Sequence, residues 1–428
     1  MGILLVGCTG FLGSSLIYKF LKSSNYILYI AIRKKNNKNI KARIKEIFKS
    51  INLSYKKYKH KIKLIPISYD TNRNIIISER NKKKIINHCK ILINALADIK
   101  FNRNLKTAAL NNTVTAINWL KLFKQCKHSD KYIYISTAYV NFHRIQEGII
   151  KEKIYDLDMS ETTLDNILND KHTKKSDYMN TYCYTKQLTE ILLKNNRDGI
   201  NLHIIRPSII IPALQYPYPG WCNIQTISLG LIGASTGLLT AYKCNNTGFI
   251  NTIPVDFVAN DCFRYTCLKN DSVRNITISH CCLTGNIEHW GVNSGKFFYN
   301  IFKKIESQFL KNPIFHNENK LMPIIFNTFS YNGSNIYIAN ITTLLYNIYN
   351  MKITFIEKMC FLYKSICFTY MYNLSFKDWC DKRIIFERKI NSEDILYTNS
   401  SNKDCFNIFL DNIQKTLEHD DTLKYMLR

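Results

Sequence analysis

The sequence has few acidic residues, few glycines and prolines, and no long apolar run. Asp and Glu number 32 against 59 Lys and Arg, and only 15 Gly and 8 Pro occur in 428 residues. Charged residues make up 21 % of the chain and hydrophobic residues 46 %. This composition excludes an intrinsically disordered chain, a collagen and a coiled coil. The length is sufficient for about two or three domains with a sizeable core.

The cysteines and the apolar stretches lack the patterns of metal-binding, secreted or membrane-spanning proteins. The 14 cysteines contain no Cys-x-x-Cys pair and match no common zinc spacing, which favours reduced thiols and predicts no metal site. No basic region precedes Ile3–Val6, so we expect no signal peptide. The uncharged stretches Trp221–Tyr242 and Leu321–Met351 are too polar for membrane spans, whereas a peripheral membrane association stays open.

The net charge of +27 fits two interpretations. An excess of positive charge is typical of proteins that bind nucleic acid or an anionic membrane surface. However, the lysines are spread along a chain that is rich in Lys, Asn, Ile and Tyr throughout, and no DNA- or RNA-binding signature occurs. The sequence therefore favours compositional bias together with anionic ligands over nucleic acid.

About the first 210 residues alternate short apolar strands with helix-like stretches. The predicted strands cover Gly2–Val6, Ile27–Ile32, Ile62–Ile67, Ile91–Ala95, Tyr132–Ser136 and Leu202–Ile205. The predicted helices include Phe11–Leu21, Leu105–Phe123 and Thr181–Asn195. Continuous apolar strands separated by helices indicate a parallel sheet that is covered on both faces. Right-handed crossovers make this a doubly wound α/β sheet of the Rossmann type.

The regular alternation loosens after about Pro207, where four prolines and Gly220 indicate a loop from which a substrate-binding extension can grow. We predict a nucleotide-binding domain over residues 1–270 and a substrate-binding extension with a connector over 271–334. The remaining residues, 335–428, are predicted to form a small, mostly helical C-terminal domain.

A glycine-rich segment joins the first predicted strand to the first predicted helix. In a turn of this kind Gly7 permits the tight bend, Gly10 lets the backbone approach a pyrophosphate, and Gly13 lets helix and strand pack closely. The phosphates then bind at the N-terminus of the helix, where free N–H groups and the dipole favour an anion. We therefore predict a dinucleotide site that is formed by Gly7, Thr9, Gly10, Phe11, Leu12 and Gly13.

The second predicted strand ends in cations, where an NAD-selective site has an acidic residue for the ribose 2′-hydroxyl. Arg33 follows this strand and Arg43 lies ten residues further on. Arginine binds phosphate bidentately, so the sequence predicts NADP(H); a solvated basic loop is the alternative. Asp70, after the third strand, is a candidate adenine contact, with an ordinary surface aspartate as the alternative.

Tyr182 and Lys186 stand four residues apart in a predicted helix and so share one face. An ammonium group beside a phenol lowers the pKa of the phenol, so that it exchanges a proton near neutral pH. About forty residues upstream, a strand ends in Ser136 and Thr137, whose hydroxyls can bond a carbonyl that is being reduced. Together with the glycine-rich turn, these elements point to a hydride-transfer site.

Several further segments resemble the fatty acyl-CoA reductases, a family of extended short-chain dehydrogenases. The matching segments are Asn180–Glu190 (NTYxxTKxLxE), Ser136–Asn141 (STAYVN), Arg206–Ser208 (RPS), Pro219–Trp221 (PGW) and Asn251–Asp256 (xxIPVD). The resemblance covers nearly the whole chain and becomes thin past about residue 335. The sequence departs from the family at Asn94–Ala97, where the family has His-x-Ala-Ala, and at Asn111–Thr115, where it has Asn-x-x-Gly-Thr.

This resemblance implies a two-step reduction of a long-chain fatty acyl-CoA to a primary alcohol by NADPH, through a bound aldehyde and with release of CoA. Tyr182 would protonate the oxyanion, and Lys186 would also hold the nicotinamide ribose. Thr137, with Ser136 as the second choice, would bond the carbonyl oxygen. Asn111 would order a proton-relay water, and Pro207 of the RPS segment counts among the cofactor contacts.

Two other functions stay open at this point. One is a different extended short-chain reductase that acts on a sterol, a sugar or an aldehyde. The other is a non-catalytic NADP-binding scaffold, because a fold does not fix a function. The resemblance also implies an intracellular location at the cytosolic face of the endoplasmic reticulum or peroxisome membrane. The sequence does not specify the acyl chain length or the oligomeric state.

Overall fold

The computed structural model describes residues 1–35, 38–101, 103–155, 164–169, 180–222, 251–268, 275–282 and 385–386. The chain forms two compact units. The first consists of Met1–Trp221, Thr252–Gly285 and Ile385–Ser392, and the second of Cys222–Asn251, Asn286–Ile384 and Glu393–Arg428. The second unit lies almost entirely outside the described residues, as does the predicted helical domain over 335–428, so the structure described below is that of the first unit.

Thirteen strands occur among the described residues. They are β1 (Gly2–Val6), β2 (Ile27–Ile32), β3 (Ile62–Pro66), β4 (Ser68–Tyr69), β5 (Ile75–Ile76), β6 (Cys89–Asn94), β7 (Lys131–Ile135), β8 (Ile149–Ile150), β9 (Asn201–Pro207), β10 (Ile209–Ile211), β11 (Thr252–Pro254), β12 (Ile276–Cys281) and β13 (Ile385–Phe386). Seven of them form one parallel sheet in the order β3-β2-β1-β6-β7-β9-β12. The other six pair two by two.

The helices connect consecutive strands of the sheet. They are α1 (Phe11–Ser23), α2 (Ile40–Ser50), α3 (Tyr55–Tyr58), α4 (Glu79–His88), α5 (Leu105–Ala109), α6 (Thr115–Lys124), α7 (Leu164–Leu168), α8 (Thr181–Asn196) and α9 (Val255–Cys267). A π-helical turn over Leu110–Val114 joins α5 to α6, and 3₁₀ turns cover Lys59–Lys61 and Ala138–Glu147. No helix in the described ranges combines the length and the apolar character that crossing a membrane requires.

The strands in the middle of the sheet are buried on both faces, as parallel strands are when helices cover them. Every residue of β1, β7 and β9 is buried. Helix α1 packs against α9, and α6 packs against α8. The strand order reverses between β1 and β6, so the crevice at the carboxyl ends of these strands is the usual ligand site of such a sheet. The predicted doubly wound α/β fold is confirmed.

The sheet continues past residue 270, where we placed the end of the nucleotide-binding domain. Strand β12 pairs with β9 from Ile276 to Cys281 and forms the edge of the sheet. Its sequence is short and mixes apolar with polar residues, which is why the apolar pattern did not reveal it. The other predicted domain limits remain predictions.

Asparagine side chains begin three of the helices. Asn39, Asn104 and Asn180 cap α2, α5 and α8, and each side-chain oxygen accepts a hydrogen bond from the N–H three residues later at 2.8–2.9 Å. An N-cap of this type satisfies one of the free N–H groups of the first helical turn. The cap at Asn180 therefore fixes the start of α8 just ahead of Tyr182.

A buried lysine of the sheet binds the carbonyl groups at the C-terminal end of α9. Lys131 lies in the central strand β7, and its ammonium group donates hydrogen bonds to the carbonyls of Tyr265 at 3.2 Å, Thr266 at 3.4 Å and Leu268 at the C-terminal end of α9. Carbonyl groups at a helix C-terminus lack partners within the helix and favour a cation. The contact therefore stabilises α9 on the sheet, while burial lowers the pKa of Lys131.

A fully buried ion pair joins α8 to β9. Arg206 donates to both carboxylate oxygens of Glu190, from Nε at 3.0 Å and from Nη2 at 2.6 Å, and both side chains have no exposed surface. Arg206 Nη2 also donates to the carbonyl of Lys153 at 3.0 Å. Because these bonds compensate for the desolvation of both charges, the pair holds α8 in one position on the sheet.

We expect Glu190→Gln to destabilise the protein by about 3–5 kcal/mol, because it leaves the Arg206 charge buried without its counter-ion. Urea denaturation measures the change in the free energy of unfolding. The matched control is Glu46→Gln, which breaks an exposed ion pair with Lys38 at 2.7 Å and should cost less than about 1 kcal/mol. Equal effects of the two substitutions would contradict the role given to the buried pair.

Candidate active site

The glycine-rich turn follows β1 at the switch point of the sheet, as predicted. Gly7 has φ +85°, and a Cβ atom there would lie 2.5 Å from the carbonyl carbon of Ala95. A Cβ atom at Gly13 would lie 2.2 Å from the carbonyl oxygen of Gly7. Both distances are far below van der Waals contact, so the turn requires glycine at these two positions.

The start of α1 is open to an anion. No side chain caps this helix, and Thr9 and Gly10 are exposed at the surface. The N–H groups of the first turn therefore point at the solvent with the positive end of the helix dipole behind them. This arrangement fits the pyrophosphate of a dinucleotide, and Gly10, Phe11, Leu12 and Gly13 are the residues whose backbone would hold it.

Phe11 also has a packing role at this edge. Its ring lies 5.0 Å from the ring of Trp221, and the carbonyl of Trp221 accepts a hydrogen bond from Ala213 N at 2.9 Å. Trp221 itself is buried. The PGW segment is thereby attached to the helix that begins the nucleotide site.

The two arginines that are predicted to bind the 2′-phosphate, Arg33 after β2 and Arg43 in α2, are in contact. The Arg43 guanidinium in α2 donates a hydrogen bond to the carbonyl of Arg33, and the Arg33 side chain is exposed. Arg43 lies close enough to Cys8 in the glycine-rich turn to oppose the rise that burial causes in the pKa of that thiol. Arg43 therefore lies beside the nucleotide turn, where a 2′-phosphate would need a cation, and the backbone of Arg33 adjoins it.

Asp70 has structural partners in the described part of the chain. Its carboxylate accepts hydrogen bonds from the backbone and the side chain of Asn74, each at 2.8 Å, and these bonds lower its pKa. They close the turn between β4 and β5. These contacts explain Asp70 as a turn residue, and its contact with adenine remains a prediction.

Tyr182 and Lys186 lie in the first two turns of α8, with Lys186 pointing at the end of β7. The Lys186 ammonium donates to the carbonyl of Ile135 at 2.6 Å and lies 4.6 Å from the ring centre of Tyr134. The same nitrogen is 5.8 Å from the ring centre of Tyr182. This contact brings the pair next to Ser136 and Thr137, which directly follow β7.

The structure does not bear out the expectation that Lys186 lowers the pKa of Tyr182. Burial raises the pKa of Tyr182, and burial lowers the pKa of Lys186 to about 7, although the nearby Glu190 carboxylate opposes the latter shift. Both shifts favour the neutral form, because desolvation outweighs the attraction between the two groups at this separation. Burial therefore favours the neutral phenol at Tyr182 and brings the pKa of Lys186 to about 7.

The two hydroxyl residues after β7 differ in their hydrogen bonding. The Thr137 hydroxyl accepts a hydrogen bond from Tyr139 N at 3.4 Å. Ser136 is buried, and its Oγ has no partner in the described part of the chain. A buried hydroxyl without a partner is uncommon and costs free energy, so Ser136 is available to a ligand. Thr137 accepts in its bond with Tyr139, so its O–H can still donate to a ligand.

Asn111 and its neighbour Asn112 lie in the π-helical turn and bind the same residue. Asn111 Nδ2 donates to Asp98 Oδ2 at 2.7 Å, and Asn112 Oδ1 accepts from Asp98 N at 2.8 Å. Asn112 Nδ2 also donates to Thr185 Oγ1 in α8 at 3.1 Å. The analysis of the sequence did not select Asp98 or Asn112; two adjacent asparagines inside a predicted helix, where asparagine is unfavourable, were the available signal.

The departure from the family pattern at Asn94 has a clear packing partner. Asn94 Nδ2 donates to the Tyr132 hydroxyl at 2.8 Å, and its Oδ1 accepts from Leu96 N at 3.1 Å. The Tyr132 hydroxyl in turn donates to the carbonyl of Ala116 at 3.2 Å. Asn94 thus fixes the chain as it leaves β6 and enters the segment beside Gly7.

Pro207 ends β9, where it pairs with Cys281 of β12. Its neighbour Ser208 donates from its backbone N to the carbonyl of Cys281 at 3.0 Å. This places Pro207 at the carboxyl edge of the sheet, the edge that also carries Gly7 and Ser136. Its contact with the cofactor remains a prediction, as do the roles of the other selected residues.

We expect Lys186→Met to stabilise the fold by about 1–4 kcal/mol at pH 7, because it removes a desolvated amine and keeps an unbranched side chain. The folded-state pKa of about 7 lies below the value of about 10.4 for lysine in an unfolded chain. The destabilising effect of Lys186 is therefore complete below pH 7 and fades as the pH rises from 7 to 10. Denaturation curves across this range should show the difference between the variant and the parent shrinking. A difference that grows with pH would contradict the assignment, and Lys49→Met, at an exposed position of α2, serves as control.

Comparisons with known sequences identify relatives of this chain. A profile of the NAD-binding family described as male sterility protein matches residues 5–262. Fatty acyl-CoA reductase 1 of Mus musculus is 30 % identical over 308 residues, which cover 68 % of this chain and 59 % of that protein. Fatty acyl-CoA reductase 2 of Mus musculus is 32 % identical over 276 residues, which cover 60 % of this chain and 53 % of that protein. The chain spans about three-fifths of the length of its curated relatives.

Solved structures share the fold at low sequence identity. The terminal R domain from the myxalamid PKS-NRPS biosynthetic pathway superposes with a TM-score of 0.63 at 14 % identity, covering 97 % of this chain and 90 % of that one. The reductase (R) domain of a nonribosomal peptide synthetase from Mycobacterium tuberculosis gives 0.53 at 14 % identity, covering 87 % and 92 %. The NAD-binding profile supports a nicotinamide dinucleotide as the cofactor. The family profile matches most of the Rossmann domain, and the curated relatives are similar over about two thirds of the chain. These two findings show that this chain belongs to the fatty acyl-CoA reductase family.

Proposed function

We propose that the chain is an NADPH-dependent reductase that converts a long-chain fatty acyl-CoA into a primary alcohol through a bound aldehyde and releases CoA. The observation that carries this proposal is the bond between Lys186 Nζ and the carbonyl of Ile135. It brings the Tyr182–Lys186 pair to the end of β7, where Ser136 offers an unpartnered hydroxyl. A proton donor and a hydroxyl at one edge of a nucleotide-binding sheet suit the reduction of a carbonyl.

In both reduction steps, residues of the chain would bind the carbonyl oxygen of the substrate and transfer the protons. When bound, the reduced nicotinamide supplies one hydride per round. Ser136, together with Thr137, would donate hydrogen bonds to the carbonyl oxygen and polarise the carbon. Tyr182 would give its proton to the developing oxyanion, a role that suits a phenol whose neutral form is favoured by burial.

Lys186 would return the proton to Tyr182. Because burial brings its pKa to about 7, the amine releases and takes up a proton near neutral pH. After the first round, expulsion of CoA as its thiol from the hemithioacetal leaves an aldehyde. The aldehyde takes the second hydride and a second proton and leaves as the alcohol.

Charge at the adenosine end favours NADPH over NADH. Arg33 and Arg43 adjoin the nucleotide turn, and no acidic residue lies at the end of β2. A 2′-phosphate carries the negative charge and the acceptor oxygens that guanidinium groups bind. The cationic surface suits the phosphates of CoA in the same way.

The partner and the location of the protein are part of the same proposal. The substrate is a long-chain acyl-CoA, and no nucleic-acid partner is proposed. By family resemblance the enzyme acts inside the cell, at the cytosolic face of the endoplasmic reticulum or peroxisome membrane, with which it associates peripherally. The predicted limit at 334 between the connector and the C-terminal domain belongs to this proposal too.

The first test is turnover of a palmitoyl-CoA-like thioester with NADPH. The absorbance of the cofactor measures the rate, and the lipid product is identified. We expect alcohol from the unmodified protein and a kcat that is roughly 10²- to 10⁴-fold lower in Tyr182→Phe, because the proton donor is lost. NADPH binding should be retained in the variant. Binding of NADPH without turnover of acyl-CoAs of several lengths, or of a fatty aldehyde, would favour another carbonyl substrate or a scaffold.

The cofactor preference is tested separately with Arg33→Ala. We expect the Kd for NADPH to rise roughly 10- to 100-fold and the Kd for NADH to stay unchanged, because only NADPH carries the phosphate that the guanidinium binds. Fluorescence titration measures both constants. Lys45→Ala removes an exposed cation from α2 and is the matched control. An equal loss of affinity for both nucleotides would count against a 2′-phosphate contact.

A further inference from the structure

A polar cluster between the π-helical turn and α8 connects Tyr182 with the segment that follows β6. The centre of the cluster is Asp98. Its Oδ2 accepts from Asn111 Nδ2 at 2.7 Å and from Arg103 Nε at 3.1 Å, and its Oδ1 accepts from Lys100 N at 3.3 Å. Its backbone N and O both bind the side chain of Asn112, at 2.8 and 3.3 Å. One residue therefore joins its own loop to the π-helical turn.

One arm of the cluster leads from Asp98 to the backbone of Tyr182. Asn112 Nδ2 donates to Thr185 Oγ1 at 3.1 Å, and Thr185 Oγ1 donates to the carbonyl of Tyr182 at 3.0 Å. Thr113, in the same π-helical turn, donates from Oγ1 to the carbonyl of Thr185 at 3.1 Å. π-Helical turns inside helices occur often at functional sites, and this turn directs adjacent side chains at Asp98 and at α8.

The second arm leads from Asp98 to the ring of Tyr182. Thr181 Oγ1 donates to the carbonyls of Phe101 at 3.2 Å and Arg103 at 3.0 Å, which ties the Asp98 loop to the start of α8. The Phe101 ring then meets the Tyr182 ring edge to face, with 5.8 Å between their centres. An aromatic pair of this geometry limits the rotation of both rings.

We propose that Asp98 is a positioning residue for the phenol of Tyr182: its carboxylate binds Lys100 and Arg103, which flank Phe101, and Phe101 packs against the ring of Tyr182. The backbone of Asp98, which a substitution leaves in place, holds Asn112 and through it Thr185. This inference rests on the proposed function, in which Tyr182 gives the proton. A displacement of about 1 Å of a reacting group is enough to lower the rate of a chemical step roughly 100-fold. Among the described residues no hydrogen bond joins the Asp98 side chain to the phosphate-binding turn of α1, so we expect nucleotide binding to be retained when its carboxylate is changed.

The test compares Asp98→Asn with Asp98→Glu and with the control Asp198→Asn. The control breaks an exposed ion pair with Lys124 at a position with φ +47°, a conformation that asparagine tolerates. We expect kcat to fall roughly 10- to 100-fold in Asp98→Asn with the KM for NADPH unchanged, and part of the rate to return in Asp98→Glu, which keeps the carboxylate. If Asp98→Asn does not fold, Arg103→Met removes one bond to Asp98 from a partly exposed side chain and should lower kcat in the same direction.

A second readout is independent of turnover. 3-Fluorotyrosine placed at position 182 gives one ¹⁹F resonance that reports the environment of the phenol. We expect this resonance to shift or split in Asp98→Asn and to stay unchanged in Asp198→Asn. An unchanged kcat in folded Asp98→Asn, or a rise in the KM for NADPH that accounts for the loss, overturns the proposal. If the unmodified protein turns over neither acyl-CoA nor aldehyde, the proposed function fails, and an unchanged resonance then overturns the role of Asp98 as well.

Discussion

The ion pair between Glu190 and Arg206 fixes where α8 lies on the sheet, and the candidate site follows from that position. Both charges are fully buried, so their attraction is weakly screened and either partner alone would be costly in the interior. With α8 held by Glu190, Lys186 one turn earlier reaches the carbonyl of Ile135. Tyr182 another turn earlier then lies beside the end of β7. Glu190 in the middle of α8, Lys186 one turn earlier and the cap at Asn180 thus hold the N-terminal half of the helix on the sheet.

Desolvation, more than the mutual attraction of Tyr182 and Lys186, sets the proton chemistry of this site. Burial raises the pKa of the phenol and lowers the pKa of the amine to about 7. A neutral phenol can give a proton, and an amine that titrates near pH 7 can replace it. Lys186 therefore costs stability where it serves the proposed reaction, which is a common compromise at functional sites.

The two ends of the candidate site use different physical means. The nucleotide end lies at the surface, where an uncapped helix and two arginines offer partial and full positive charge to phosphates. The reaction end depends on hydrogen bonds of fixed geometry, among them those of the Asp98 cluster between the π-helical turn and α8. Long-range attraction suits the capture of a charged ligand, whereas proton transfer needs atoms held at defined distances.

Local sequence by itself determined six of the seven strands of the sheet, the turn at Gly7 and the spacing of Tyr182 and Lys186, because apolar runs, glycine geometry and helical periodicity act over a few residues. It also predicts Arg33 and Arg43 as contacts of a 2′-phosphate. Tertiary structure alone decided the pairing of β12, the burial of Lys131 on the end of α9 and the central place of Asp98, since each depends on partners that are distant in the chain or on a π-helical turn. It also decided the direction of the pKa shifts of Tyr182 and Lys186, because the depth to which a group is desolvated is a property of the packed chain.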